Sequence, residues 1–265
     1  MKHFFKKLAY KLLGQSNYLK LLSYGYKFLY KSGALKKDPS YQFHYFSRKL
    51  VNEGDTVLDI GANVGYYSML FAKWVGSSGK VIAVEPVPDF FTMLKWNTRR
   101  FSNITYYNYA LGLEEKDIHL VVPNPNGYLR TGLANVRDEN NPSQEDGDVF
   151  TFSARMKKAS ELFADIPSID FIKMDIEGYE EFVLPEMKPV LLKHKPILQV
   201  ETWGAHKPVV EGFLAGIGYL QYQLKDDRLV KAANEIAVAG VDYIFVHPEN
   251  HTAIAQLSAK NILSI

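Results

Sequence analysis

From residue 55 onward, short apolar runs ending in Gly, Asp, Glu or Pro alternate with amphipathic stretches, a pattern of strand and helix units repeated around a parallel sheet. Strands are predicted at 55–60 (DTVLDI), 80–85 (KVIAVE), 103–109 (NITYYNY), 169–175 (IDFIKMD) and 196–201 (PILQVE), each apolar enough for burial on both faces. Helices are predicted at 41–51, 64–75, 88–101, 157–165, 178–193 and 207–216. Two later runs, 218–224 and 241–247, lack a helical pattern between them and predict an antiparallel hairpin at the sheet edge. Residues 2–32 read as one or two short basic helices, with Gly14, Gly25 and Gly33 as breaks. The long polar connection from Pro123 to Asp148 is a candidate lid over substrate. The expected organisation is a helical extension at 1–40, a catalytic α/β domain at 41–250 and a tail at 251–265 forming a short helix.

Composition narrows the class. At 47% apolar and 23% charged residues the chain reads as globular, and no stretch of 18 uninterrupted apolar residues suggests a membrane span. The absence of cysteine excludes disulfides, thiolate nucleophiles and cysteine-ligated zinc. The opening MKHFFKKLAYKLLGQ is basic, but Lys6, Lys7 and Lys11 interrupt every apolar run, so no signal-peptide core is read and a cytoplasmic location is expected.

The formal net charge of +2 conceals an asymmetry: residues 1–50 hold ten Lys and one Arg against the single acid Asp38, a balance of +10 that leaves −8 for the remainder. Two readings of the basic arm follow: peripheral contact with an anionic membrane at its inner face, or a helical cap packed on the acidic core with solvated lysines. The cap is preferred. Nucleic acid is not an expected partner, because the rest of the chain is acidic and carries no recognised RNA-binding motif.

Candidate chemistry begins at Asp59-Ile60-Gly61-Ala62-Asn63-Val64-Gly65, where a strand ends in an acid and runs through a glycine turn into a helix. The free N–H groups at that helix start suit a carboxylate such as that of methionine, and Asp59 could meet an ammonium group directly or through water. The dinucleotide fingerprint G-x-G-x-x-G lacks its middle glycine here, which counts against NAD and favours a ligand without pyrophosphate. Glu85 ends the second strand 24 residues after Gly61, near the spacing at which an acid reaches ribose hydroxyls, and Pro86 follows as an apolar wall for adenine. At the third strand end, Ala110 leaves room for an adenine edge and Asn108 could meet its amine.

The most specific segment is Ile169-Asp170-Phe171-Ile172-Lys173-Met174-Asp175-Ile176-Glu177-Gly178-Tyr179-Glu180. Together with LDIGANVGYYS and NYALG it resembles the FkbM family of S-adenosylmethionine-dependent methyltransferases over roughly residues 55–220. The resemblance implies a class I methyltransferase (Rossmann-like) fold: a doubly wound α/β domain with a mostly parallel seven-stranded sheet and an antiparallel edge strand, here carrying an N-terminal helical extension. It implies S-adenosyl-L-methionine as cofactor and methyl transfer to a hydroxyl on a saccharide, glycolipid or natural product, with RNA methylation a weaker reading. Position by position it puts cofactor contacts at Asp59, Gly61, Asn63, Gly65, Glu85 and Ala110, and the active-site edge at Asp175, Glu177 and Gly178. Ala62, Tyr66, Pro86, Asn108 and Asp175 complete the candidate cofactor set. One departure is that Arg155-Met156-Lys157-Lys158 stands where family members often carry a Leu-Asp pair.

Apart from the resemblance, Asp175 and Glu177 sit at the carboxyl end of a central strand, where open α/β sheets bind ligands. Glu201 ends the fifth strand and His206 follows five residues later. Asp175, Glu177, Glu201 and His206 are therefore the candidate general bases for a hydroxyl nucleophile, and sequence does not choose among them. A Mg²⁺ held by several rim acids ranks below metal-free catalysis, and no metal ligand is assigned. The rival classes are an NAD-dependent oxidoreductase and a non-catalytic adenosyl-ligand-binding or scaffold protein; the acceptor and the oligomeric state are not read from sequence.

Overall fold

A computed structural model of the protein describes residues 2–124, 127–136, 148–232 and 241–263. In chain order its helices are α1 (Lys2–Ser32), α2 (Gln42–Phe46), α3 (Tyr66–Val75), α4 (Pro88–Thr98), α5 (Ala159–Leu162), α6 (Glu180–Glu186), α7 (Lys188–His194), α8 (His206–Gly216) and α9 (His251–Ala259). Its strands are β1 (Thr56–Ile60), β2 (Lys80–Val84), β3 (Ile104–Tyr107), β4 (Ala110–Leu111), β5 (Lys116–Pro123), β6 (Asn135–Val136), β7 (Val149–Lys157), β8 (Phe171–Met174), β9 (Ile197–Thr202), β10 (Leu220–Lys225), β11 (Arg228–Lys231) and β12 (Val241–Val246).

The main sheet runs β3-β2-β1-β8-β9-β12-β10-β11, with β3 to β9 parallel. It is doubly wound, as the alternating pattern predicts. Leu58, Ile60, Ile172, Met174, Leu198 and Val200 face α5 to α8, whereas Val57, Phe171, Ile197 and Ile244 face α2, α3 and α9. Strand order reverses between β1 and β8, so the crevice at their carboxyl ends is the place for a ligand.

Several expectations need correction. The sheet has eight strands among the described residues rather than seven; its edge strand β11 is antiparallel to the parallel set, as expected, and a second antiparallel strand, β12, lies inside the sheet between β9 and β10. Segments 218–224 and 241–247 do pair antiparallel, yet the hairpin partner of β10 is β11, which forms the edge. Their two-residue turn is Asp226-Asp227, with φ of 49° and 62°, a conformation more readily recognised in a sequence as Asn-Gly.

A second sheet, β4-β7-β5-β6, was not anticipated. Its long pair, Lys116↔Met156 through Pro123↔Val149, is closed by the connection whose residues 125–126 and 137–147 lie outside the described ones. The helix expected at 157–165 accordingly shrinks to Ala159–Leu162, since β7 claims its start. The helix expected at 41–51 ends at Phe46 in a 3-10 turn, and the one expected at 178–193 is two, with Pro189 opening the second.

Helix α1 spans residues 2–32 with a break at Gly14 (φ 69°, ψ 166°); Gly25 stays helical and Gly33 ends it at φ 77°. Tyr18 and Leu19 pack with Val87, Phe90, Met93 and Leu129, joining the helix to α4 and the second sheet. Burial of Leu19 alone contributes roughly 1.5–3 kcal/mol.

Candidate active site

The turn after β1 is built around Gly61. Its N–H and that of Ala62 both donate to the Val84 carbonyl, at 3.0 and 2.9 Å. With φ at 76°, a Cβ on Gly61 would lie 1.8 Å from the Asp175 carbonyl oxygen, so the exits of β1 and β8 approach closely only because this residue has none. Gly65 serves packing: a Cβ there would meet Leu94 of α4 at 2.5 Å.

Beside this turn lies a partly open cavity, with about 670 Å³ of empty space when the solvent at its open side is included. Its wall includes Gly61, Asn63, Glu85, Pro86, Ala110, Asp175 and Glu177 from the predicted set. Val84, Leu111, Leu120, Tyr109 and Tyr179 add apolar surface, and Gly132, Ala134 and Val136 bring in the described part of the expected lid. A Cβ on Gly132 would stand 3.5 Å from Asn63 Nδ2 and 3.6 Å from Glu177 Oε1, which puts this segment against the polar side of the cavity.

Glu85 is 4% exposed, and its two carboxylate oxygens accept the N–H groups of Asn63 (2.7 Å) and Val87 (2.8 Å). Burial pushes its carboxyl up to about 7 despite those two bonds. Asn108 holds the loop that follows, donating from Nδ2 to the carbonyls of Glu85 (2.7 Å) and Pro86 (3.1 Å), and so acts on the cavity through its wall.

The remaining predicted cofactor residues lie elsewhere. Asp59 is fully enclosed: one oxygen accepts from Ser68 Oγ and the other has no hydrogen-bond partner among the described residues. Ala62 packs with Ala83 and Leu94. Tyr66 stacks on Tyr26 of α1 with ring centroids 3.8 Å apart. Ser68 of α3 closes on Asp59, α4 on Ala62 and α1 on Tyr66, tertiary contacts that the local motif does not encode.

Behind the cavity wall runs a buried polar row. Alternation along each strand puts Asp59, Lys173 and Gln199 on one face, and the register pairs Asp59 with Lys173 and Lys173 with Gln199. Lys173 is 3% exposed, and its ammonium donates to Asp175 Oδ2 at 2.9 Å. Burial alone would lower its pKa, but Asp175 and Asp59 outweigh that and raise it. The sequence reading gave Lys173 no role; the available signal was a lone cation within the apolar run FIKM, which burial obliges to find acids.

Asp175 is held in its charged form. Burial opposes ionisation, yet Lys173 and a hydrogen bond from Glu201 bring its carboxyl below the usual range. Burial and the Asp175 charge drive Glu201 the other way, keeping it protonated as the donor. Glu201 thus supports Asp175 instead of lining the cavity. His206 also stands off the wall, with Nδ1 2.7 Å from Glu181 Oε1 and its side chain 40% exposed.

Glu177 differs from the other three. It lies on the cavity wall in the left-handed region at φ 59°, an uncommon conformation for a residue with a side chain and one that often marks a functional turn. Burial, followed by the charges of Asp175 and Glu180, pushes its carboxyl up to about 8. Glu180 secures the turn by accepting the Ile176 N–H at 2.6 Å, and burial pushes it up to about 7.

His44 of α2 was also missed. It is buried, with Nδ1 2.6 Å from the Tyr26 hydroxyl and its ring 4.2 Å from that of Tyr67. Burial and Lys173 push it down to about 3, so it is neutral near pH 7.

These shifts fix a pH dependence. Between pH 6.5 and 8 the folded chain retains protons on Glu177, Glu85 and Glu180 that the unfolded chain has released, so stability falls as pH rises. His44 has the opposite sign, but its contribution is complete once the pH passes the ordinary histidine value of about 6.5. The urea midpoint is expected to drop across that window and to drop less in Glu177→Gln. A midpoint that is flat or rising in the native chain contradicts these assignments.

Residues 59–222 match the family described as the methyltransferase FkbM domain. Among curated proteins, the protein-L-isoaspartate O-methyltransferase of Methanococcoides burtonii is 37% identical over 57 residues, covering 21% of this chain and 28% of that one. Protein-L-isoaspartate O-methyltransferase 2 of Archaeoglobus fulgidus is 46% identical over 39 residues, covering 15% and 18%. The chain therefore spans under a third of the length of these relatives. Among solved structures, the methyltransferase FkbM from Methylobacillus flagellatus aligns with a TM-score of 0.48 at 17% identity, over 72% of this chain and 43% of that one. Because the family match covers more than half of the chain, including the Gly61 turn, Glu85 and the Asp175–Glu180 segment, the protein belongs to the FkbM methyltransferase domain family.

Proposed function

We propose that the protein is an S-adenosylmethionine-dependent methyltransferase acting on a hydroxyl of a saccharide, glycolipid or natural product. The observation that carries this reading is one cavity, at the reversal of strand order, holding both the ribose-type acid Glu85 and the desolvated carboxyl of Glu177. The cavity suits the cofactor. Each Glu85 oxygen accepts one backbone N–H and has a further lone pair for a hydroxyl, while Val84, Pro86, Ala110 and Leu111 offer an apolar seat for a purine. A pyrophosphate is less well served, because Val64 is buried beside α1 and Tyr66 is covered by Tyr26 at the start of α3.

When bound, S-adenosylmethionine supplies an electrophilic methyl group on a sulfonium. The chain's own work is to orient the acceptor, exclude water and take up the hydroxyl proton. Of the four candidate bases, Glu177 alone combines a place on the wall with a pKa near neutrality. Asp175, bound to Lys173 and Glu201, is a weak base and serves as a fixed negative charge beside the site.

The test is methyl transfer from labelled cofactor to a panel of glycans and glycolipids. Glu177→Gln is expected to lower kcat by about 10²–10⁴-fold and to abolish the acidic limb of the pH–rate profile, with cofactor affinity changed only severalfold. Unchanged kcat in Glu177→Gln removes Glu177 as the base. Transfer to RNA with none to any hydroxyl-bearing small molecule or glycan removes the acceptor class.

A further inference from the structure

Helix α1 has two apolar faces in its second half. Tyr18, Leu19, Ser23 and Tyr26 are buried against the domain. Leu21, Tyr24 and Phe28, spaced i, i+3, i+7, emerge on another side at 51%, 58% and 72% exposure, the Tyr24 ring also standing edge-on to Trp96 of α4. Before the break at Gly14, Leu8, Leu12 and Leu13 are exposed as well. Elsewhere on the described surface the large exposed apolar side chains are Leu113, Phe182, Leu192, Val209 and Leu220, no two on the same element. The concentration on α1 therefore needs its own explanation.

Charge identifies what covers this face. The α1 segment holds seven lysines and no acid. Lys27 is engaged with Asn97 Oδ1 and lies over the Trp96 ring, but Lys6, Lys7, Lys11 and Lys31 are exposed beside the apolar rows. A solvated cap would carry polar residues on its outer side. A symmetric pairing of two such faces would set lysines against lysines. An anionic bilayer surface satisfies both the apolar row and the cations.

We propose that α1 docks the protein on an anionic lipid surface, lying in the interfacial plane with Leu21, Tyr24 and Phe28 at the acyl boundary and the lysines on the headgroups. No described helix is long and apolar enough to cross a membrane, so the contact is peripheral. It reverses the sequence-based preference for a plain cap, because the packed face of α1 is not the only apolar one.

The full chain is tested by co-sedimentation with vesicles of phosphatidylglycerol mixed with phosphatidylcholine, and of phosphatidylcholine alone, a readout that does not depend on methyl transfer. Binding is expected to be at least about tenfold stronger on the anionic vesicles and to weaken as salt is raised. Leu21→Ser with Phe28→Ser, and separately Lys6→Gln with Lys7→Gln and Lys11→Gln, are each expected to reduce it by about tenfold or more. All five positions are exposed, so circular dichroism and the unfolding midpoint should match those of the native chain; Leu12→Ser provides an independent arm beyond the Gly14 break. The proposal is overturned by equal binding to both vesicle types, by folded variants that bind as the native chain does, or by a native dimer that Leu21→Ser with Phe28→Ser converts to monomer without any vesicle binding.

Discussion

Replacing Lys173 with Met is expected to lower the unfolding free energy by about 3–5 kcal/mol, the penalty for leaving buried charge without its partner. Lys173 is 3% exposed and is the cation for two acids, Asp175 on the cavity wall at 2.9 Å and the fully buried Asp59 in the adjoining register position. Met fills similar volume, so the loss is electrostatic and not a cavity. In a chain of this size it appears as a fall in Tm of roughly 6–20 °C. Adding Asp59→Asn should recover part of the loss, since the amide no longer requires a counterion, and this double-mutant cycle separates the charge effect from packing. A loss below about 1 kcal/mol, or none recovered in the double variant, contradicts the assigned role.

Gly61→Ala carries the second large effect. The new methyl would lie 1.8 Å from the Asp175 carbonyl oxygen and 2.8 Å from its carbon, both backbone atoms that no rotamer change can move aside. Left-handed strain adds about 1–3 kcal/mol and overpacking about 1–3 kcal/mol more. The exits of β1 and β8 must part to admit it, which displaces Asp175 and widens the cavity between Gly61 and Glu177. Stability should therefore fall by about 2–6 kcal/mol and cofactor affinity by at least about tenfold. Gly132→Ala is the contrast: its Cβ has ordinary contacts at 3.5 and 3.6 Å and only the positive φ to overcome. Similar losses in the two variants would show that close approach is not what Gly61 provides.

The sequence specified the central sheet well because β1, β2, β8 and β9 are short, mostly apolar runs, each with four or more buried positions. It gave less warning of the second sheet. β7 alternates only between half-buried and exposed positions until Met156, and its partner β5 lies across a long connection, so neither strand has an adjacent turn to announce it. Asp226-Asp227 hid the β10–β11 turn in the same way, through residues that adopt positive φ less often than Asn-Gly.

For the site, legibility followed chain continuity. Gly61, Asn63, Glu85, Pro86, Ala110, Asp175 and Glu177 sit at strand ends or in the turns that follow them, and fold topology alone carries them to one cavity. The choice of Glu177 over Asp175, Glu201 and His206 depends on partners that a motif does not rank: Lys173 two residues back in β8 and Glu201 from β9 for Asp175, and Glu181 from α6 for His206. The enclosure of Tyr66 and Asp59 likewise depends on α1 and Ser68, contacts that no local spacing expresses. His44 and Tyr26 come from outside the matched family segment, so the family motif could not point to them.

Calorimetric titration of the full chain tests most directly whether the cavity beside Gly61 receives S-adenosylmethionine. The expected result is a saturable one-site heat with S-adenosylmethionine, a heat diminished in Gly61→Ala, and no saturable heat with NAD. Saturable binding of NAD with no response to S-adenosylmethionine would contradict it.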